Sequence, residues 1–185
     1  MTDSPITDPK ALRALSHPVR WKLLTLLTDE GPSTATQCSV RVGESVASCS
    51  YHLNMLAKYG FVVEVEGPGR QKPWRIVNRH QSITTEGLEG EAALAAETAA
   101  LAFLDQEFER TRERMRQYDH LPADWREHVG ITGATAFLTP EELKQAQEEL
   151  RAVMYRFEQR VENPELRPEN SKPVRFFLSA TISPE

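Results

Sequence analysis

Apolar positions recur at helical spacing through the first sixty residues. Asp8-Pro9 reads as a helix start, with Asp at the cap and Pro in the first turn, and Leu12 and Leu15 continue it. That helix should stop before Pro18, because the residue preceding a proline avoids the helical region. Pro18 opens a second helix with Val19, Leu23, Leu26 and Leu27 on one face, ended by Gly31-Pro32. Thr34 caps a short third helix over 35–42, and Gly43 suits the left-handed position that ends a helix and turns the chain sharply. Ser45 caps a fourth helix reaching to about Tyr59, closed by Gly60. Two helices joined by so tight a glycine turn predict a helix-turn-helix.

The period then changes. Residues 61–66 (FVVEVE) and Trp74-Arg75-Ile76-Val77 are rich in β-branched and aromatic residues and flank Gly67-Pro68-Gly69, which predicts a β-hairpin with a basic tip at 69–73. Helices followed by such a hairpin form a winged helix. From about 86 to 118 the chain turns helical again. Leu94, Leu101, Phe108 and Met115 repeat every seven residues, with Leu104 and Tyr118 near the second core position. Leu121-Pro122 breaks this helix. Residues 130–138 predict a strand, and Thr139 with Glu142 forms a capping box before a helix carrying Leu143, Leu150, Phe157 and Val161. Alternation over 174–180 predicts a second strand, expected to pair with the first.

The expected fold is therefore mainly α with small β: a winged helix-turn-helix, a long helix and a small strand-helix-strand unit. In residue terms this means a flexible lead over 1–9, the winged helix over 10–80, a dimerisation or linker helix over 81–120, and a small α+β unit over 121–185.

Charge sharpens this division. The net charge of −5 conceals ten Lys and Arg against seven Asp and Glu in residues 1–80, and twelve against twenty in residues 81–185. A mildly basic front and an acidic back suit a DNA reader joined to a second module. No apolar run approaches the length of a membrane span, and the first residues, MTDSPITDPK, lack a secretory pattern. With only Cys38 and Cys49, no disulfide framework is expected. A cytoplasmic location follows as the expectation.

Candidate chemistry concentrates on the fourth helix. At 100° per residue, Cys49, Leu53 and Leu56 cluster on one face, while Ala47, Ser50, Tyr51, Asn54 and Lys58 occupy the opposite one. Small residues at the tip, followed by hydrogen-bonding and cationic groups, suit insertion into the major groove. Ser45 and Ser48, near the positive end of the helix dipole, are positioned to meet phosphate. Arg70, Lys72 and Arg75 of the wing, with Arg20 and Lys22 at the start of the second helix, complete the expected DNA-binding set. Each of these charges taken alone is also what an ordinary solvated surface carries.

Residues 14–24 (ALSHPVRWKLL), the helix at 35–42, Ser50-Tyr-His-Leu53, residues 56–62 (LAKYGFV) and the wing together resemble the ArsR-type winged helix regulators over roughly residues 10–80. The resemblance implies a homodimeric repressor that binds near-palindromic double-stranded DNA. It also implies pairing through the flanking helices, here those at 8–16 and 86–118. Metal-sensing members carry paired cysteines before the recognition helix, or His and acidic ligands on the dimerising helix. This chain has only Cys38 in the former place, so no metal and no cofactor are expected.

No phosphate-cradling glycine loop or nucleophile elbow is present, and no catalytic residue is assigned. His17 is expected to serve the turn before Pro18, and His52 to be structural or a phosphate contact. His80, His120 and His128 match no ligand spacing. Phe103, Phe108, Trp125, Phe137, Phe157 and Phe176 either fill a core or line a pocket for a small apolar effector between the long helix and residues 130–182. The alternative to an operator-binding regulator is a winged-helix module that engages another protein.

Overall fold

The computed structural model describes residues 6–78 and 83–182, with the side chain of Glu162 left aside. Contacts divide the chain into two compact units, Met1–Asp119 and His120–Glu185.

The first unit begins with α1 (Pro9–Leu15), α2 (Pro18–Asp29), α3 (Ala35–Val42) and α4 (Val46–Lys58). Each start has a side-chain cap. Asp8 accepts from the Lys10 N–H, the His17 ring from Val19, Thr34 from Gln37 and Ser45 from Ser48. Thr34 and Gln37 form a full capping box. Gly43 ends α3 at φ 76°, the left-handed conformation that only glycine adopts without steric strain.

Two short strands follow, β1 (Val62–Glu64) and β2 (Trp74–Ile76), paired antiparallel with Val62 opposite Ile76 and Glu64 opposite Trp74. Ser33 bonds Trp74 in both directions, 3.0 and 2.8 Å, tying the sheet to the chain just before α3. At the base of the wing a Cβ on Gly67 would stand 2.7 Å from the Pro73 ring, so the close approach there requires glycine.

The core runs through these elements. Leu12, Leu15, Leu23, Leu27, Cys38, Cys49, Leu53 and Leu56 are fully buried, and Phe61, Val62, Trp74 and Ile76 of the hairpin close over them. At about 1.5–3 kcal/mol for each fully buried large apolar side chain, this cluster dominates the stability of the unit.

The long helix α5 (Gly90–Arg116) belongs to the same unit and packs chiefly on α1 and also on α2. It starts later than the pattern implied, because Gly87 and Gly90 both take positive φ and hold residues 86–89 out of the helix. Its inward stripe is Ala95, Ala96 and Ala99, small enough for close backbone approach, with Phe103 against Trp21 at 4.8 Å between ring centroids. Further along, Arg110 reaches both Asp29 carboxylate oxygens at 3.0 and 2.8 Å. The seven-residue repeat faces away: Leu94, Leu101, Phe108 and Met115 all remain exposed.

A 3-10 turn at Tyr118–His120 spans the boundary, and the second unit contains α6 (Ala123–Arg126), α7 (Pro140–Tyr155) and α8 (Gln159–Glu162), with a further 3-10 turn at Pro164–Leu166. The Thr139–Glu142 capping box is present. The expected strand-helix-strand arrangement is corrected here. Residues 130–138 and 174–180 form no strand, and among the described residues the sheet has only the two strands of the wing. The physical reason lies in burial, since alternation yields a strand only when one face has something to cover it. Here Phe137 is wholly exposed, and no described residue from 120 to 182 is buried. Of the aromatics expected to share a core or a pocket, Phe103 joins the core of the first unit, while Phe157 and Phe176 are half exposed.

Candidate nucleic-acid interface

The helix α4 is anchored from behind. Cys49, Leu53 and Leu56 are fully buried, so its orientation is set by the core and not by its outer side chains. Ala47, Tyr51, Asn54 and Lys58 stand exposed on the opposite face and Ser50 at its edge. The Tyr51 ring lies edge-on to His52 at 5.2 Å between centroids, while more than half of the residue stays exposed on the open face. Asn54 donates to the Ser50 carbonyl at 2.8 Å, a local bond that must exchange for any bond to a base. Lys58 lies over the Tyr59 ring at 5.7 Å and has no ion pair among the described residues.

At the start of α4 the Ser45 hydroxyl accepts from the Ser48 N–H at 3.0 Å, and the Ser48 hydroxyl donates to the Glu44 carboxylate at 3.2 Å. Ser45 thus caps the helix, Ser48 is tied to Glu44, and Glu44 sets a negative charge where phosphate was expected. Sequence reasoning passed over Glu44; its four-residue spacing from Ser48 was the available signal.

Arg20 requires a correction. It was expected among exposed phosphate contacts, but only 8% of it is accessible. Its Nη1 donates to the Ala14 carbonyl at 2.8 Å and its Nε to His52 Nδ1 at 3.3 Å. The guanidinium is an internal brace between α1, α2 and α4. Lys22, on the side of α2 opposite its buried face, is exposed and unpaired among the described residues.

His52 is the other residue whose chemistry differs from a surface group. Burial pushes its pKa down, and the neighbouring His17 ring, 4.4 Å away between centroids, and Arg20 push the same way, against Glu44. As the acceptor of the Arg20 bond, Nδ1 carries no proton. His17 itself caps α2 through Nδ1 at 3.2 Å from the Val19 nitrogen. The two cysteines lie in the same core. Burial, reinforced by Cys49, pushes the Cys38 thiol up to about 11, and burial raises Cys49 as well. Both are held as protonated, apolar-packed thiols at neutral pH. His120 and His128 join no cluster of potential metal ligands among the described residues, and His80 lies outside them.

On the wing, Arg70 is exposed at the tip without a carboxylate partner among the described residues. Lys72 is 3.8 Å from Glu64, and Arg75 projects from β2 opposite Val63, with Nη1 on the Ile76 carbonyl at 3.2 Å. Among the cations expected to meet DNA, those exposed and without an ion pair among the described residues are therefore Lys22, Lys58 and Arg70, with Lys72 and Arg75 partly engaged.

No curated protein matches the chain. Among protein families, residues 15–65 match the model described as a helix-turn-helix domain. The match runs from the end of α1 into the wing and contains both α3 and α4. A helix buried along its back and polar along its open face is the arrangement such a domain presents to duplex DNA. Over residues 15–65 the chain is therefore similar to a helix-turn-helix domain, with α3, the turn at Gly43 and α4 supplying the two helices and the turn between them.

Proposed function

We infer that the chain is a sequence-specific regulator of the ArsR type, acting as a homodimeric repressor in the cytoplasm. The recognition helix, residues 45–59, enters the major groove, and the wing, residues 67–73, follows the backbone or the minor groove. The observation that carries this reading is the division of α4: three fully buried residues behind, and Ala47, Tyr51, Asn54 and Lys58 exposed in front. Ala47, Ser50, Tyr51 and Asn54 read base edges. Lys22, Lys58, Arg70, Lys72 and Arg75 neutralise phosphate and supply the salt-dependent share of affinity.

Dimerisation is supported by α5. Leu94, Leu101 and Met115 are 65%, 56% and 41% exposed along a helix already packed through its alanines on the opposite side. A repeat of seven on the outward face is the period that a second helix matches, and an identical helix supplies the same repeat. A two-fold dimer presents two recognition helices and calls for a near-palindromic site.

The test is equilibrium selection of the purified chain on a genome-derived duplex library, with the selected sites retested at two salt concentrations. A near-palindromic site bound far more tightly than random duplex is expected. Weak binding without sequence preference, lost uniformly as salt rises, would favour the reading as a protein-interaction module.

A further inference from the structure

At one edge of the open face of α4, cations of α1, α2 and α4 converge on one cleft of about 370 Å³. Lys10 and Arg13 come from α1, Arg20 from α2 and Lys58 from the last turn of α4. Ala14, Met55 and Tyr59 supply the rest of the lining, and no carboxylate contributes. Lys10, Arg20 and Lys58 have no acidic partner among the described residues; only Arg13 is paired, with Glu91. Three cations without an acidic partner among the described residues thus share one recess of a chain whose net charge is −5.

We propose that this cleft binds a small organic anion, a carboxylate or phosphate ester with a short apolar body, and that the bound anion draws Lys58 away from DNA. Its volume lies in the range of small-molecule sites, about 300–1,000 Å³. Its wall combines the two required chemistries: cations for the head group, and the Met55 thioether, Tyr59 ring and Ala14 methyl for the body. The geometry favours a small ligand over a DNA phosphate. Only 8% of Arg20 is accessible, so a group fixed on a duplex backbone meets the rim while a free anion reaches the wall. Arg20 is also preorganised. Two of its nitrogens are fixed on Ala14 and His52, and Nη2 has no protein acceptor among the described residues.

Coupling to DNA passes through Lys58, which belongs both to the exposed face of α4 and to the cleft lining. This part rests on the operator reading above; occupancy of the cleft does not.

The experiment uses the full chain with benzoate and, separately, inorganic phosphate as probes, followed by chemical shifts of Ala14, Met55 and Tyr59. Benzoate should shift these resonances saturably, and Lys10→Gln, which alters only an exposed side chain, should weaken its binding about threefold to fivefold. The proposal is overturned if the shifts do not saturate, if phosphate binds as tightly as benzoate, or if Lys10→Gln leaves benzoate binding unchanged. Binding of a selected duplex is then measured for the same variant. If Lys10→Gln weakens the duplex complex while benzoate fails to saturate, the cleft receives DNA backbone and the small-anion site is refuted. Because the spectroscopic measurement contains no DNA, a chain that binds no operator still gives an unambiguous result for the cleft.

Discussion

Arg20 Nε donates to His52 Nδ1 across 3.3 Å, joining the first turn of α2 to the middle of α4 inside the protein. The bond exists only while His52 is neutral, because a protonated imidazole offers two donors and no acceptor. Protonation would also place a second positive charge beside the guanidinium, with His17 packed against the same ring.

The pH dependence follows from the direction of the His52 shift. Its folded pKa lies below the ordinary 6.5, so between the two values the unfolded chain binds a proton that the folded chain excludes. The contribution is fully present above about pH 6.5 and is lost as pH falls toward the folded value. Urea unfolding midpoints should therefore be lower at pH 5.5 than at pH 7.5. His52→Asn, whose amide oxygen approximates the Nδ1 acceptor without titrating, should narrow that difference; an unchanged difference would assign the effect to other groups.

Contacts to bases and to phosphates should separate by variant. Arg70→Ala, at the wing tip, is expected to weaken every duplex to a similar degree and to reduce the salt slope by about one. Tyr51→Ala, on the open face of α4, is expected to change the ranking among related sites. Equal scaling of all affinities by both variants in a salt-resolved binding series would refute this division.

The two sides of α5 should respond in opposite ways. Leu101 is 56% exposed, so Leu101→Glu should leave the unfolding free energy of the unit nearly unchanged while shifting sedimentation toward monomer. Ala96 is fully buried against the rest of the unit, so Ala96→Leu should destabilise it by about 1–3 kcal/mol through overpacking. If Leu101→Glu sediments as the wild type does, the outward repeat is not the dimer seam.

These elements also mark where the sequence was readable. The caps at Asp8, Thr34 and Ser45 and the αL glycine at Gly43 are local signals, decided within a few residues: α1, α3 and α4 begin, and α3 ends, where those signals lie. The buried back of α4 followed from a single helical period. Arg20 was misjudged because its role depends on Ala14 and His52, one of which lies 32 positions along the chain. Cationic character is visible in a sequence, whereas whether the guanidinium faces water depends on tertiary packing. The same applies to the cleft, whose lining comes from three helices that no local pattern connects.

Residues 130–138 test how far alternation alone can carry a strand. The segment has the composition of one, with Ile131, Ala134, Ala136 and Leu138 at even spacings over part of its length, yet Ile131 is 74% exposed and Leu138 49%. Forming a strand would fix several backbone dihedrals at about 1–2 kcal/mol per residue, and only a paired ladder and a covered face offset that. Neither is present in the segment. Its backbone amides should then exchange with solvent at nearly unprotected rates, while those of α4 behind Leu53 and Leu56 should exchange only through larger opening of the first unit. Hydrogen exchange read by mass spectrometry at residue-level overlap resolves the two. Strong protection over 130–138 in the free chain would show that the segment pairs after all, and the strand-helix-strand arrangement would have to be restored.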